Sequence, residues 1–140
     1  MKVLYRTEAT ATGGRTGSAK TADGAFAVKL TAPKELGGPG GEGNNPEQLF
    51  ASGYSACFLG AIQVAAGKQK VKVSDDSTVT AKVGIGPRDD GKGFGLDVEL
   101  VISLPGLERD VAQAVVDQAH IICPYSDATR NGLDVRLTLA

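Results

Sequence analysis

Apolar and polar residues alternate along the first thirty residues as they do in half-buried strands. The alternation predicts strands over residues 3–11, 18–20 and 25–30. A glycine-rich stretch around Arg15 bends the chain between the first two strands, and Asp23-Gly24 is a strong hairpin signal before the third. The pattern therefore predicts a small antiparallel sheet at the start of the chain.

A glycine-rich connection follows at residues 33–44 and shows no periodicity. Connections of this length without periodicity are uncommon in compact domains, and many of them are functional. We expect this segment to be a functional or partner-contacting loop rather than a tight turn.

The next element has the start signals of a helix. Asn45 is a good N-cap, Pro46 suits the first helical position, Glu47 lies in the first turn and Gln48 completes a capping-box-like Asn-x-x-Gln. Apolar residues recur at helical spacing as far as Gly67, and no charge occurs over residues 48–67. A helix this uncharged is expected to be buried on most faces, and in so short a chain that predicts burial by a second copy.

The second half of the chain alternates again. It predicts a hairpin of strands at residues 78–85 and 94–104, an amphipathic helix over 108–122 that Pro124 ends, a short turn through Thr129 and a last strand over 133–139. Because strands and helices are segregated along the chain, the predicted fold class is α+β with largely antiparallel sheets. The 140 residues fit a single domain, 1–140.

Charge and composition narrow the class of partner. Lys and Arg total 15 against 16 acidic residues, so the chain lacks the basic excess of a nucleic-acid binder. The N-terminus has no signal-like apolar region, and no stretch is expected to reach the roughly 20 apolar residues needed to span a bilayer. We expect a cytoplasmic protein with no nucleic-acid partner and no membrane association.

Cys57 and Cys123 are the only cysteines, and they stand 66 positions apart without a CxxC motif. Any contact between the two thiols must therefore be produced by the tertiary fold. In the cytoplasm, a pair that does oxidise is more often catalytic or sensing than structural. The alternative is a structural disulfide, which would stabilise the fold by roughly 4 kcal/mol in the chain-entropy model.

A reactive Cys57 would need a nearby cation, because burial among apolar neighbours raises a thiol pKa and the helix start lies some twelve residues away. Arg15 is the notable candidate, although its spacing alone favours an ordinary solvated turn charge. Glu47 is the nearest acid that could hold it, although acids are common in first turns. A straight helix would place Glu47 about 15 Å from Cys57, so either the helix breaks near Gly53 or Arg15 and Glu47 reach the cysteine of a partner subunit.

Three residues could also form a metal site. His120, Cys123 and Cys57 would supply three zinc ligands, but the usual ligand motifs are missing, so a satisfied helix-end histidine is the favoured interpretation. Four following residues look like helix-end polar groups: Tyr125, Ser126, Asp127 and Arg130.

Taken together and in order, four stretches resemble the organic hydroperoxide resistance (Ohr) proteins of the OsmC superfamily. They are Thr12-Gly13-Gly14-Arg15-Thr16-Gly17, Asn45-Pro46-Glu47-Gln48-Leu49-Phe50, Gly53-Tyr54-Ser55-Ala56-Cys57-Phe58 and His120-Ile121-Ile122-Cys123-Pro124-Tyr125-Ser126. The family often has alanine at Ser52 and Ser55 and asparagine at Asp127.

The resemblance implies an intertwined homodimer with two central helices between antiparallel sheets and active sites at the subunit interface. It implies a thiol peroxidase with no bound cofactor. Cys57 would be the peroxidatic thiolate, Cys123 the resolving cysteine, Arg15 the orienting cation and Glu47 its anchoring carboxylate. Organic hydroperoxides would be the substrates, and a lipoyl dithiol carried on a lipoylated protein would be the reductant.

Three other functions stay open at this point. The osmotically induced branch of the superfamily would share the chemistry with a different substrate preference, a redox-sensing module would oxidise without turnover, and a zinc-binding module would carry metal.

A pocket edged by Leu49, Phe50, Tyr54 and Phe58 is expected to favour alkyl or fatty-acid hydroperoxides over hydrogen peroxide, because apolar burial contributes about 25 cal/mol per Å².

Overall fold

The computed structural model describes residues 1–132 and 136–137. The chain divides into two compact units, Met1–Phe50 and Ala51–Ala140, which are described separately below.

The first unit contains the small antiparallel sheet expected from the alternating pattern. Its strands are β1 (Ala9–Thr12), β2 (Ser18–Thr21) and β3 (Ala27–Lys29), in the order β1-β2-β3. Ala11 pairs with Ala19, and Ala19 pairs in turn with Val28. The turn before β3 uses Gly24 at φ 72°, where a residue without a side chain is favoured, as the Asp23-Gly24 signal predicts.

The first strand is much shorter than predicted. Its pairing ends where Ala9 meets Thr21, and beyond that pair a single hydrogen bond, from the backbone N–H of Ala22 to the Glu8 carbonyl at 3.2 Å, precedes the turn at Gly24. Residues 3–8 therefore lie outside the sheet, and Val3, Leu4 and Tyr5 are exposed. The prediction of a strand from residue 3 is wrong for a single chain.

The glycine-rich loop at residues 33–44 has internal order. It contains a 3-10 turn, Lys34–Leu36, and an isolated parallel bridge joins Leu30 to Asn44 at its base. The hydroxyl of Thr31 also donates to the carbonyl of Gly40 at 2.8 Å. Its role as a partner-contacting loop stays a prediction.

The long helix α1 (Pro46–Lys68) starts as predicted. The backbone N–H of Gln48 donates to Asn45 Oδ1 at 2.8 Å, and the backbone N–H of Asn45 donates to Gln48 Oε1 at 2.9 Å. This reciprocal pair is a capping box. The helix passes Gly53 without interruption, so the alternative of a break there is wrong.

Helix α1 buries one stripe rather than most of its faces. The stripe consists of Tyr54, Phe58, Ala61, Ile62, Ala65 and Ala66. Burial on most faces is therefore not achieved within one chain, and burial by a second copy stays a prediction.

Helix α1 is also long and apolar enough to cross a membrane by length and composition, contrary to the expectation that no stretch would be. The core helix of a globular protein passes the same test, so this property does not indicate a membrane span.

The second unit contains a long hairpin and two further helices. Strands β4 (Thr78–Pro87) and β5 (Phe94–Ser103) pair antiparallel from Thr78↔Ser103 to Pro87↔Phe94, which confirms the predicted hairpin. Helix α2 (Arg109–Ile122) follows, also as predicted, and buries Val115 and Ala119 completely.

The predicted turn after Pro124 is instead a third helix, α3 (Pro124–Asn131). Proline ends α2 because it lacks an N–H donor, yet the same property suits the first position of a new helix. Cys123, in extended conformation at φ −65° and ψ 121°, is the junction between the two helices. The predicted last strand, residues 133–139, lies largely outside the described residues.

Candidate functional site

The fold brings the two cysteines of the chain into contact. Cys57 lies on α1 and Cys123 at the junction of α2 and α3, and their Sγ atoms are 3.5 Å apart. Both are free thiols, with Cys57 half-buried and Cys123 completely buried. Because a disulfide has an S–S length of about 2.0 Å, a closure of roughly 1.5 Å would join them.

The surroundings of Cys57 within one chain keep its thiol protonated. Burial is the main cause and raises its pKa above the ordinary value, with the neighbouring Cys123 acting in the same direction. A hydrogen bond from the backbone of Tyr125 opposes this shift. The expectation that burial would raise the pKa of Cys57 is confirmed, so a reactive thiolate requires a further stabilising group.

Helix α3 docks on α1 beside the sulfur atoms. The hydroxyl of Tyr54 lies 2.9 Å from Ser126 Oγ in a buried hydrogen bond and 3.4 Å from Thr129 Oγ1. The Tyr125 ring packs near the Tyr54 ring, with centroids 5.8 Å apart, and covers Gly53, where an added Cβ would lie 3.2 Å from the Tyr125 hydroxyl. Sequence reasoning missed this contact and treated Tyr125 and Ser126 as helix-end polar groups. Only the matching three-residue spacings, Tyr54 to Cys57 and Cys123 to Ser126, could have suggested it.

In the first unit, a tight bend presents Arg15 between β1 and β2. Residues Gly14–Thr16 form a 3-10 turn, preceded by Gly13 at φ 70°. A Cβ at Gly17 would lie 1.8 Å from the carbonyl oxygen of Thr12, so the close backbone approach there requires glycine. The glycines therefore fix the position from which the Arg15 side chain leaves the backbone.

Arg15 forms a bidentate ion pair with Glu47 in the first turn of α1. Nη1 donates to Oε2 at 2.8 Å and Nη2 donates to Oε1 at 2.6 Å. The side chain of Glu47 is 12% exposed and that of Arg15 is 40% exposed. Spacing alone favoured a solvated turn charge at Arg15, and that interpretation is wrong because the guanidinium is anchored by a carboxylate 32 positions away.

The pair also shifts the titration of both groups. The donors of Arg15 hold the pKa of Glu47 below its ordinary value, with burial opposing and the backbone N–H of Glu47 assisting. The same hydrogen bonds raise the pKa of Arg15. Glu47 uses two of the five guanidinium N–H donors, and no other acceptor bonds to Arg15 in the described part of the chain. The anchored guanidinium of Arg15 therefore has further N–H donors available to bind an anion.

His120 gives no support to a metal site. Its ring packs against Phe58, with centroids 6.3 Å apart, and its backbone carbonyl accepts a hydrogen bond from Arg130 at 3.3 Å. Among residues 1–132 and 136–137, no three His, Cys, Asp or Glu side chains form a group that could hold a metal ion. The carboxylate of Asp127 accepts from Asn131 at 2.6 Å, further along α3.

Two of the four aromatic and aliphatic residues expected to edge an apolar pocket are buried in a single chain. Tyr54 and Phe58 are 4% and 2% exposed and pack edge to face with ring centroids 6.5 Å apart. They are core residues of the second unit, and their place at the edge of a substrate pocket stays a prediction.

Comparison with known proteins gives consistent matches along the chain. The family model described as OsmC-like protein matches residues 38–138. The organic hydroperoxide resistance protein of Xanthomonas axonopodis pv. citri (strain 306) is 52% identical over 139 residues, which is 99% of this chain and 96% of the relative.

Solved structures agree with the sequence relatives. The crystal structure of an organic hydroperoxide resistance protein from Legionella pneumophila matches with a TM-score of 0.87 and 46% identity, covering 96% of each chain. That of OhrB from Bacillus subtilis matches with a TM-score of 0.83 and 38% identity, covering 99% of this chain and 100% of the other.

Proposed function

The chain belongs to the OsmC-like family and, within it, to the organic hydroperoxide resistance proteins, and we propose that it is a thiol peroxidase that reduces organic hydroperoxides to alcohols. Its role would be to protect a cell, in the cytoplasm, from oxidative stress. The relatives carry hydroperoxide resistance in their names, and the proposal extends this to a defined reaction at defined residues of this chain.

The observation that carries the proposal is the contact between two free thiols of unequal exposure. Cys57 Sγ and Cys123 Sγ are 3.5 Å apart, Cys57 is half-buried and Cys123 is completely buried. Cys57 is therefore accessible to a peroxide. Cys123 is shielded from the peroxide but lies within reach of the sulfenic acid that forms on Cys57. This is the arrangement that a peroxidatic and a resolving cysteine require.

The reaction follows ordinary sulfur chemistry. The Cys57 thiolate attacks the terminal oxygen of ROOH, an S–O bond forms, the O–O bond breaks, and the alkoxide leaves as an alcohol after taking a proton. Cys57 becomes a sulfenic acid. Cys123 then attacks this sulfur, an S–S bond forms, and hydroxide leaves as water with the proton of the Cys123 thiol. The two thiols supply the two electrons that reduce the peroxide.

Arg15 and Glu47 are proposed to activate the thiol. Burial raises the pKa of Cys57 within one chain, so a cation is needed to stabilise the thiolate, and a guanidinium that a carboxylate anchors is well suited to that task. We assign Arg15 the orientation of thiolate and peroxide, and Glu47 the anchoring of Arg15. Because α1 is uninterrupted, we propose that the complete site assembles in a homodimer, in which Arg15 and Glu47 of one copy serve Cys57 of the other.

An external dithiol must reopen the disulfide. We propose a lipoyl group carried on a lipoylated protein, with no cofactor bound to the chain itself. The first thiolate forms a mixed disulfide, the second closes the lipoyl ring, and both cysteines return to the thiol state with two electrons gained. Alkyl or fatty-acid hydroperoxides are the proposed substrates.

A steady-state assay tests the proposal. Reduced protein should consume cumene hydroperoxide catalytically with dihydrolipoamide, and far more slowly with glutathione or thioredoxin. Cys57→Ser should abolish consumption, whereas Cys123→Ser should still form a sulfenic acid that dimedone traps. Efficient turnover with glutathione and none with dihydrolipoamide would reject the assigned reductant. Oxidation of one equivalent of peroxide without turnover under any reductant would favour a redox-sensing module. Faster turnover of hydrogen peroxide than of cumene hydroperoxide would favour a different substrate preference.

A further inference from the structure

Helix α3 is held in place by little apolar contact. Among its residues, all of which the structure describes, Ser126 alone is buried, and it is 0% exposed. Its hydroxyl bonds to that of Tyr54 on α1 at 2.9 Å, and Tyr54 is 4% exposed. Two longer side-chain bonds also tie α3 to neighbouring helices: the Tyr54 hydroxyl lies 3.4 Å from Thr129 Oγ1, and Arg130 donates to the carbonyl of His120 at 3.3 Å. The Tyr54–Ser126 hydrogen bond is thus the buried contact that sets where α3 lies on α1.

The same two segments carry the sulfur atoms. Tyr54 precedes Cys57 by three residues on α1, and Ser126 follows Cys123 by three residues. Three residues of helix rise about 4.5 Å, so the hydrogen bond lies roughly one turn from the sulfurs on each segment. Cys123 is bound to α3 through its carbonyl, which accepts the backbone N–H of Asp127 at 3.0 Å. A displacement of α3 would therefore move Cys123.

Tyr125, which directly precedes Ser126, also contacts α1. Its backbone bonds to the Cys57 thiol, and its ring rests over Gly53, which has no side chain to displace it. The start of α3 thus touches α1 at Gly53, Tyr54 and Cys57 in succession. These contacts all depend on one placement of α3 against α1.

We propose that Tyr54 and Ser126 are positioning residues that hold Cys123 within closing distance of Cys57 and so determine how often the Cys57 sulfenic acid forms a disulfide instead of oxidising further. The proposal rests on the proposed function for its peroxide chemistry, and neither residue touches the reacting atoms through its hydroxyl.

Two reactions compete for the sulfenic acid. In the first, Cys123 forms the S–S bond and water leaves. In the second, Cys57 attacks another hydroperoxide, gains a second oxygen as the O–O bond breaks, and becomes a sulfinic acid while an alcohol leaves. Only the first depends on Cys123 being near. A shift of about 1 Å in the reacting atoms can slow an intramolecular step by as much as a hundredfold.

The test measures this ratio in Tyr54→Phe, Ser126→Ala and the double variant. Reduced proteins are treated with one to ten equivalents of cumene hydroperoxide without reductant, and intact mass distinguishes disulfide from sulfinic acid. We expect the ratio of sulfinic acid to disulfide to rise about tenfold, with the rate of the first oxidation within twofold of the parent chain. Tyr5→Phe and Ser55→Ala, which remove an exposed ring hydroxyl and a hydroxyl bonded only locally, should leave the ratio unchanged.

The double variant distinguishes positioning from stability. Tyr54→Phe leaves the buried Ser126 hydroxyl without its partner, and Ser126→Ala leaves the Tyr54 hydroxyl with weaker contacts such as that to Thr129, so each destabilises the fold, whereas removal of both hydroxyls is closer to neutral. We expect chemical unfolding of the double variant to return toward the parent chain while the sulfinic ratio stays raised. A ratio that returns with the stability, or one that never changes in folded variants, would overturn the proposal.

An oxidant that is not a peroxide separates this proposal from the proposed function. Diamide takes up one thiol across its N=N bond, and attack by the second thiol breaks the S–N bond and releases the hydrazine with both protons. Slower closure by diamide in the double variant supports the positioning role even if peroxide leaves the parent thiols intact, a result that would reject the peroxidase alone. Equal closure rates in the parent and the double variant would overturn the positioning role alone.

Discussion

At the scale of single residues, Arg15 and Arg88 show how much the anchoring of an arginine differs between two ion pairs. Arg88 pairs with Asp90, two positions away, and both side chains are at least 40% exposed. Arg15 pairs with the largely buried Glu47 through two parallel hydrogen bonds. A nearby exposed pair contributes little to stability, whereas the bidentate geometry fixes the orientation of a guanidinium.

Replacement of Arg15 tests that orientation. In Arg15→Lys the charge is kept but the planar bidentate donors are lost, so we expect kcat/KM for cumene hydroperoxide to fall by about tenfold to a hundredfold. The matched variant Arg88→Lys should keep the parent value. Equal values for Arg15→Lys and the parent chain would show that charge alone suffices at this position.

The pH dependence of the ion pair has a defined sign. Because Arg15 lowers the pKa of Glu47 below its ordinary value of 4.5, the carboxylate stabilises the folded chain above that value, and the contribution is lost as pH falls through the lowered pKa. We expect the stability difference between the parent chain and Glu47→Gln to be constant from about pH 6 to 8 and to shrink in acid. Urea unfolding at a series of pH values measures it, and a difference that grows in acid would contradict the assignment.

At the scale of elements, the capping box at Asn45 and Gln48 ties the start of α1, and with it Glu47, to the preceding loop. Asn45→Ala removes the acceptor of the Gln48 N–H, so we expect a loss of about 1 kcal/mol in unfolding free energy. Asn45→Asp keeps an acceptor oxygen and should retain most of the stability. Denaturant titration of the three chains decides between these outcomes.

The elements that the sequence predicts well are those with local signals. Asn45, Pro46 and Gln48 mark a helix start by themselves, and the alternating residues of β4 and β5 require no distant partner to be recognised. Pro124 was misread because the same residue that ends one helix can begin the next. The strand predicted from residue 3 is too long because residue-by-residue pairing with β2 ends at Thr21, close to the turn at Gly24, and alternation alone does not show where a partner strand turns away.

The residues of the candidate site show the same difference between local signals and contacts with distant residues. The residues of the thiol pair and the ion pair could be chosen from composition and resemblance, since cysteines are few and Glu47 lies in a marked first turn. The Tyr54–Ser126 bond could not, because it spans 72 positions and neither residue has a distinctive local pattern. Contacts that depend on how one helix packs on another are not encoded in periodicity.

At the scale of the whole molecule, apolar side chains remain exposed in a single chain. Val3, Leu4 and Tyr5 are 51%, 89% and 80% exposed, and only one stripe of α1, which carries no charge over residues 48–67, is buried. Exposed apolar surface of this extent favours association. We expect sedimentation to give a particle of about twice the 14.3 kDa chain mass at micromolar concentration. A particle of 14.3 kDa at that concentration would contradict the proposed homodimer.

The partly covered α1 also links thermal behaviour to the amount of protein present. If a second copy binds only the folded chain, mass action makes the melting temperature rise with concentration. If the proposed homodimer also supplies Arg15 of one copy to Cys57 of the other, dilution would lower both the melting temperature and the activity per molecule. An organism that makes more of this chain would gain activity faster than in proportion to the number of molecules.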